Sequence, residues 1–110
     1  MSKEVVKLKQ NEVKVPSGKV IKIKEMSIDE VDFCNDIPSF VYGDDGEISS
    51  IKGISKSRTA WLRRGIKGGD FNNFKASSKG LAEDSVLRQL DEEDKNFLMT
   101  KIQEFQRLGE

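Results

Sequence analysis

Histidine is absent from these 110 residues. That absence excludes a Ser-His or Cys-His nucleophilic pair and any imidazole metal site. Cysteine occurs once, as Cys34 between Phe33 and Asn35, so no disulfide can close within the chain. With no second thiol nearby, Cys34 reads as a small buried hydrophobe rather than a redox group. The first 30 residues hold no apolar run flanked like a secretory signal, and no segment approaches the roughly twenty apolar residues that cross a bilayer. These absences predict a cytoplasmic protein with no membrane contact. Apolar residues are also scarce, 35% of the chain against 35% charged, with aromatics at 7%. The expectation is one domain with a thin core, parts of which pack weakly or finish folding against a partner.

Charge is plentiful and balanced, but it is segregated. Residues 1–26 carry seven Lys against three Glu, and residues 27–50 carry seven acids and no base. Residues 51–80 hold eight bases against Asp70 alone, and residues 81–110 hold eight acids against four bases. Two readings follow. Opposite blocks fold against one another and neutralise, or two faces of opposite sign steer partners through fields that reach about 10 Å at ordinary salt.

Local patterns predict most of the elements. Val13 and Val15, the turn Pro16-Ser17-Gly18-Lys19, and Val20, Ile21 and Ile23 interleaved with Lys22 and Lys24 describe a β-hairpin with one buried face. Residues 1–26 thus form a hairpin region, with residues 1–10 an earlier strand or a mobile arm. Ser27 and Glu30 make a capping box for a short helix that reaches Cys34 or Asn35, and Ile37-Pro38 forces the chain out of helical geometry. Phe40, Val41 and Tyr42, then Gly43-Asp44-Asp45-Gly46, then Ile48 and Ile51, read as a second small hairpin or an irregular loop.

The remainder of 27–110 reads as mainly helical. Ser55 or Ser57 is expected to cap a helix over 56–66 that aligns Ala60, Trp61, Leu62 and Ile66, with Gly68-Gly69 ending it. Asp70 to Lys75 then read as a turn carrying Phe71 and Phe74, followed by the polar link Ala76-Ser77-Ser78-Lys79-Gly80, a stretch with a hinge character, and by a short helix over 81–90. Asp91 caps a longer helix with the acidic first turn Glu92-Glu93-Asp94 and a stripe of Phe97, Leu98, Ile102, Phe105 and Leu108.

No motif supports catalysis, a cofactor or a metal. Asp44-Asp45 reads as a turn and Glu92-Glu93-Asp94 as a helix start, and neither has the spacing of a calcium loop. Gly65-Ile66-Lys67-Gly68-Gly69 lacks the Walker pattern. The basic block, with Arg58, Arg63, Arg64 and Lys67 as its candidate face and Trp61, Phe71 and Phe74 between the charges, offers a place for single-stranded nucleic acid if the aromatics are exposed.

Two segments together resemble the small tail-assembly and baseplate-assembly proteins of tailed bacteriophages. The first is Val13-Lys14-Val15-Pro16-Ser17-Gly18-Lys19-Val20-Ile21-Lys22-Ile23-Lys24-Glu25-Met26-Ser27, similar to the strand, Pro-Ser-Gly-Lys turn, strand and Glu-Met-Ser opening of tail assembly chaperones. The second lies in 90–105 and contains Asp94-Lys95-Asn96-Phe97-Leu98-Met99, similar to the acidic-capped helix of the same group. The resemblance covers about a third of the chain. It departs from the pattern where relatives continue into Tyr-Gly and a cysteine-bearing region. Tail assembly chaperone, shortened relative and small virion component therefore stay open.

The resulting expectation is an α+β domain: an N-terminal β-hairpin or small antiparallel sheet packed against three to four short helices. The expected function is non-enzymatic assembly, binding phage tail or baseplate proteins in the host cytoplasm or the virion. Phe97, Leu98, Ile102 and Phe105 are the candidate contacts if that stripe is exposed, or the seam of a homo-oligomer. A small nucleic-acid-binding protein using residues 52–79 is the alternative.

Overall fold

A computed structural model of the chain describes residues 11–108 and has an α+β fold. The earlier strand or arm expected within residues 1–10 lies outside the described residues. The Pro-Ser-Gly turn forms as the spacing predicts. Strands β1 (Glu12–Lys14) and β2 (Val20–Ile23) pair antiparallel, with Val13 opposite Ile21. The turn is closed by the Gly18 amide donating to the Val15 carbonyl at 2.8 Å, and Gly18 takes the left-handed φ of 100° that favours glycine. Alternation then does the sorting. Ile21 and Ile23 are buried and Lys22 is exposed.

Helix α1 (Ile28–Asp36) begins at the capping box. The Glu30 amide donates to Ser27 Oγ at 3.2 Å, and the Ser27 amide donates to Glu30 Oε1 at 3.0 Å. Strands β3 (Ser39–Tyr42) and β4 (Ile48–Lys52) form the second hairpin. Helix α2 (Ile54–Gly65) follows directly, and its cap differs from expectation. Gly53, in left-handed geometry at φ 81°, opens the helix with no side-chain cap. Ser57 lies inside it and donates its hydroxyl to the Cys34 carbonyl at 3.1 Å, tying α2 to α1.

Gly68-Gly69 does not terminate that helix. The helix ends at Gly65, and Ile66–Gly69 forms a strand, β5, antiparallel to β2 in a sheet of order β1-β2-β5. The expected helix over 81–90 is also shorter. Ala82 bridges Ala76 and donates its amide to the Arg63 carbonyl at 3.0 Å, so the chain is still extended there and α3 is confined to Asp84–Leu87. The turn that precedes the polar link is tied to the segment after α3. Gln89 accepts from the Asn72 amide at 2.8 Å and donates to the Asn72 carbonyl at 2.9 Å.

Helix α4 (Glu92–Leu108) starts at Asp91, whose carboxylate accepts the Asp94 amide at 2.8 Å. It crosses α2 at close range. A Cβ on Gly65 would lie 2.5 Å from Ile102 Cγ2, so only glycine permits this approach. The core gathers Val15, Ile21 and Ile23 from the first hairpin, Trp61, Leu62 and Ile66 from α2 and β5, Val86 and Leu90 from the α3 region, and Leu98 and Ile102 from α4. Each fully buried Leu or Ile contributes roughly 1.5–3 kcal/mol relative to exposure.

Two polar clamps fix α4 onto the rest. Asp94 is buried, and it accepts the Ser17 hydroxyl at 2.5 Å and the Ser17 amide at 3.1 Å. Gln106 accepts the Met26 amide at 2.7 Å and donates to the Lys24 carbonyl at 3.1 Å. The Pro-Ser-Gly turn and the acidic helix start, 77 residues apart in sequence, are thereby held together.

Candidate protein-docking surface

The residues from 39 to 52 include none that is buried. They form the second hairpin, which joins α1 and α2 at its root. Its loop is well made: the Gly43 amide donates to the Glu47 carbonyl at 2.8 Å, and Asp45 Oδ1 accepts the Glu47 amide at 3.0 Å. Asp44-Asp45 therefore serves the turn, with Asp45 as its side-chain acceptor. Ser49 is the extra residue of a bulge where the register shifts between Val41 and Tyr42, and its hydroxyl donates to the Val41 carbonyl at 2.9 Å.

Register decides which side chains share a face. Phe40 lies opposite Ile51 and Tyr42 opposite Ile48, and Phe40 and Tyr42 are two residues apart, so all four project from one side of the hairpin. Their exposures are 57%, 45%, 62% and 53% in that order. The opposite side carries Ser39, Val41, Ser50 and Lys52. Four large apolar side chains on one face that no described residue covers make it the candidate docking surface, because lone exposed hydrophobes are ordinary and contiguous ones are not. At the root, Ile37, Ile51 and Ile54 line an open groove of about 600 Å³ edged by Lys52 and Lys56.

The residues singled out on α4 are not brought to such a surface together. Leu98 and Ile102 are 0% exposed and belong to the core, Phe105 packs against it half-buried, and Phe97 is 36% exposed under the Lys101 ammonium, 5.4 Å from its ring centre. The reason is the period of the helix. Leu98 and Ile102 are four apart on the side facing α2, and Phe97 lies about 100° away.

The basic candidates are likewise spread out. Arg58 donates to Asn96 at 3.0 Å and pairs with Glu92 at 3.1 Å. Arg63 pairs with Asp84 and donates to the Ala82 carbonyl at 2.8 Å. Arg64 lies over the Phe33 ring, 4.4 Å from its centre. Lys67 is exposed on β5. The basic block thus meets the last acidic block through Arg58 and Arg63, and those contacts hold the Glu92 and Asp84 carboxyls below their usual range. Trp61 is 3% exposed and Phe71 and Phe74 are half-buried, which leaves no aromatic platform between the charges.

Cys34 is buried, and burial pushes its thiol up to about 11 against the smaller opposing pull of Arg64. A neutral buried thiol is a poor nucleophile. Among the described residues no group of three or more Cys, Asp or Glu is arranged to hold a metal ion, and no helix is long and apolar enough to cross a membrane.

The hairpin face was visible in part as the alternation of Phe40 and Tyr42. What sequence reasoning missed was that nothing among the described residues covers it. The comparisons add no relative: no protein-family model, no curated protein and no solved structure matches the chain.

Proposed function

We propose that this is a non-enzymatic assembly protein that docks another protein chain on the apolar face of the β3–β4 hairpin. The observation that carries the reading is the uncovered set Phe40, Tyr42, Ile48 and Ile51 on an element with no buried residue. A two-stranded hairpin standing alone is marginal in water, so a chain that covers it adds the stability the element lacks. The tail-assembly and baseplate-assembly proteins of tailed bacteriophages are the class we assign it to. The support for that class is the likeness of the Val13 to Ser27 segment and of the Asp94 to Met99 segment.

The test is a tagged pull-down from cells producing the neighbouring gene products, with nuclease, comparing the native chain with Phe40→Ser/Tyr42→Ser. Protein partners that survive nuclease and disappear with the double variant support docking on the hairpin, and tail or baseplate proteins among them support the class. Partners unchanged by the double variant overturn the assignment to this face. Recovery that vanishes with nuclease transfers the function to nucleic acid bound by Lys52, Lys56, Lys67, Lys75 and Lys79, all exposed.

A further inference from the structure

The three arginines of α2 differ in what they meet. Arg58 and Arg63 each have a carboxylate partner, Glu92 and Asp84. Arg64 has no carboxylate among the described residues. Its guanidinium lies 4.4 Å above the exposed Phe33 ring and makes a long hydrogen bond, 3.4 Å, to the Ala60 carbonyl. A planar fork held by stacking, with most of its N–H groups unmet by protein, is ready to take a carboxylate in two parallel bonds. Arg64 also lines an open groove of about 360 Å³ between α1 and α2, whose apolar lining is Phe33, Ile37, Ala60 and Leu81. This groove adjoins the one at the hairpin root. Ile37 and Lys56 line both, and Ile51 carries the root groove onto the apolar face of the hairpin. The charged residues lining the two grooves are Lys52, Lys56, Arg63 and Arg64, with no acid among them; the exposed Asp29, Asp32 and Asp36 of α1 line neither.

Resting on the docking reading above, we propose that the partner chain on the hairpin face continues into the α1–α2 seam as an acidic, apolar segment of a different protein. One carboxylate of that segment meets the Arg64 guanidinium, another meets Lys56, and aliphatic side chains lie against Ile37 and Ile54. Charge selects this occupant. Lys56 and Arg64 carry no ion pair with the described residues, so a carboxylate gains a partner at each, and a basic segment meets like charge along the whole groove. The apolar lining selects protein over nucleic acid. Ile37, Ile51, Ile54 and Leu81 take aliphatic side chains, and Phe33, the one aromatic residue that lines either groove, has a ring face already taken by Arg64 rather than open to a base.

Selection of a displayed library of random peptides against the folded full chain tests the chemistry of the occupant. The enriched peptides are expected to combine Asp or Glu with large aliphatic residues, and their dissociation constants to rise at least about tenfold with Arg64→Glu and with Lys56→Glu. Lys56 is exposed in the first turn of α2, where an acid suits the helix dipole, so Lys56→Glu keeps the fold should Arg64→Glu disturb it. Arg64→Lys keeps the charge without the fork and falls between the native chain and Arg64→Glu. No enrichment, enrichment of basic or uncharged peptides, or affinities indifferent to both reversals overturns the inference. So does self-association, or binding of an oligothymidylate, that the same reversals weaken while no acidic peptide binds. The pull-down described above separates this failure from that of the docking reading. A partner lost with Phe40→Ser/Tyr42→Ser and retained with Lys56→Glu/Arg64→Glu keeps the docking reading and overturns the seam. A partner lost with the seam variant alone keeps the seam and overturns docking on the hairpin.

Discussion

The chain contains two β-hairpins of comparable length and alternation, and they end in opposite states. In β1–β2 the apolar side chains Ile21 and Ile23 are closed over by α2, β5 and α4, and the turn itself is gripped by Asp94. In β3–β4 the apolar side chains Phe40, Tyr42, Ile48 and Ile51 face outward. Alternation specifies that a strand has two unlike faces, and it says nothing about what lies against either of them. The first hairpin is covered because a third strand and two helices return to it from far along the chain. The second is followed at once by α2, which leaves toward the core from Gly53.

The strongest way to break this comparison is to remove equivalent apolar bulk from each region. Leu98→Ala, inside the core that covers β1–β2, is expected to cost about 2–5 kcal/mol in urea unfolding. Phe40→Ala on the open hairpin is expected to stay within about 0.5 kcal/mol. Hydrogen exchange on the unmodified chain gives the same contrast without substitution: the β2 and β5 amides open with the global free energy, and those of β3–β4 open locally. Equal costs, or equal protection, would mean that the hairpin is covered in the free protein and would remove the basis for a docking face.

These contrasts also show how much was legible in sequence. The first hairpin, the Ser27–Glu30 box, the Asp91 cap and the amphipathic α4 were readable because each is encoded within a few residues: a turn, a cap, a 3.6-residue period. Strand β5 was not, since Ile66-Lys67-Gly68-Gly69 has little strand character of its own and becomes a strand by pairing with residues more than forty positions earlier. The helix expected over 81–90 shrank for the same kind of reason, a bridge between Ala82 and Ala76 that local propensity does not contain. The stripe of α4 was readable as a stripe, but its division into buried Leu98 and Ile102 and surface Phe97 depends on where α2 passes, and Gly65 decides that.

A polar grip distinguishes the covered hairpin as much as its apolar contacts do. Asp94→Ala leaves the Ser17 amide and hydroxyl without their acceptor, and hydrogen bonds to a charged group are worth about 1.5–3 kcal/mol. The expected loss is therefore of that size, and smaller for Asp94→Asn, which retains one acceptor oxygen. If Asp94→Ala and Ser17→Ala combined cost as much as the sum of the single changes, the clamp carries no coupling energy and the turn is held by its apolar neighbours alone.

The smallest expected effect concerns the exposed pair that links the basic block to α3. Arg63 lowers the Asp84 carboxyl below 3.8, its hydrogen bond contributing more than its charge. A carboxylate with a depressed value in the folded state binds protons more readily when unfolded, so its contribution to stability is complete well above pH 3.8 and is lost as pH falls through the folded value. Because the Asp84 side chain is largely in water, the contribution is at the lower end of what ion pairs supply. Arg63→Gln should accordingly shift the urea midpoint slightly at pH 7, and the shift should shrink below pH 3.8 as Asp84 is neutralised in both proteins. In an Asp84→Asn background the pH-dependent part should be absent, leaving the bond from Arg63 to the Ala82 carbonyl as the remaining difference. A shift that stays constant across this range in the native background would place the value of Arg63 in that carbonyl bond and in the packing of its stem, and the meeting of opposite charge blocks would then be a consequence of the fold rather than a contributor to it.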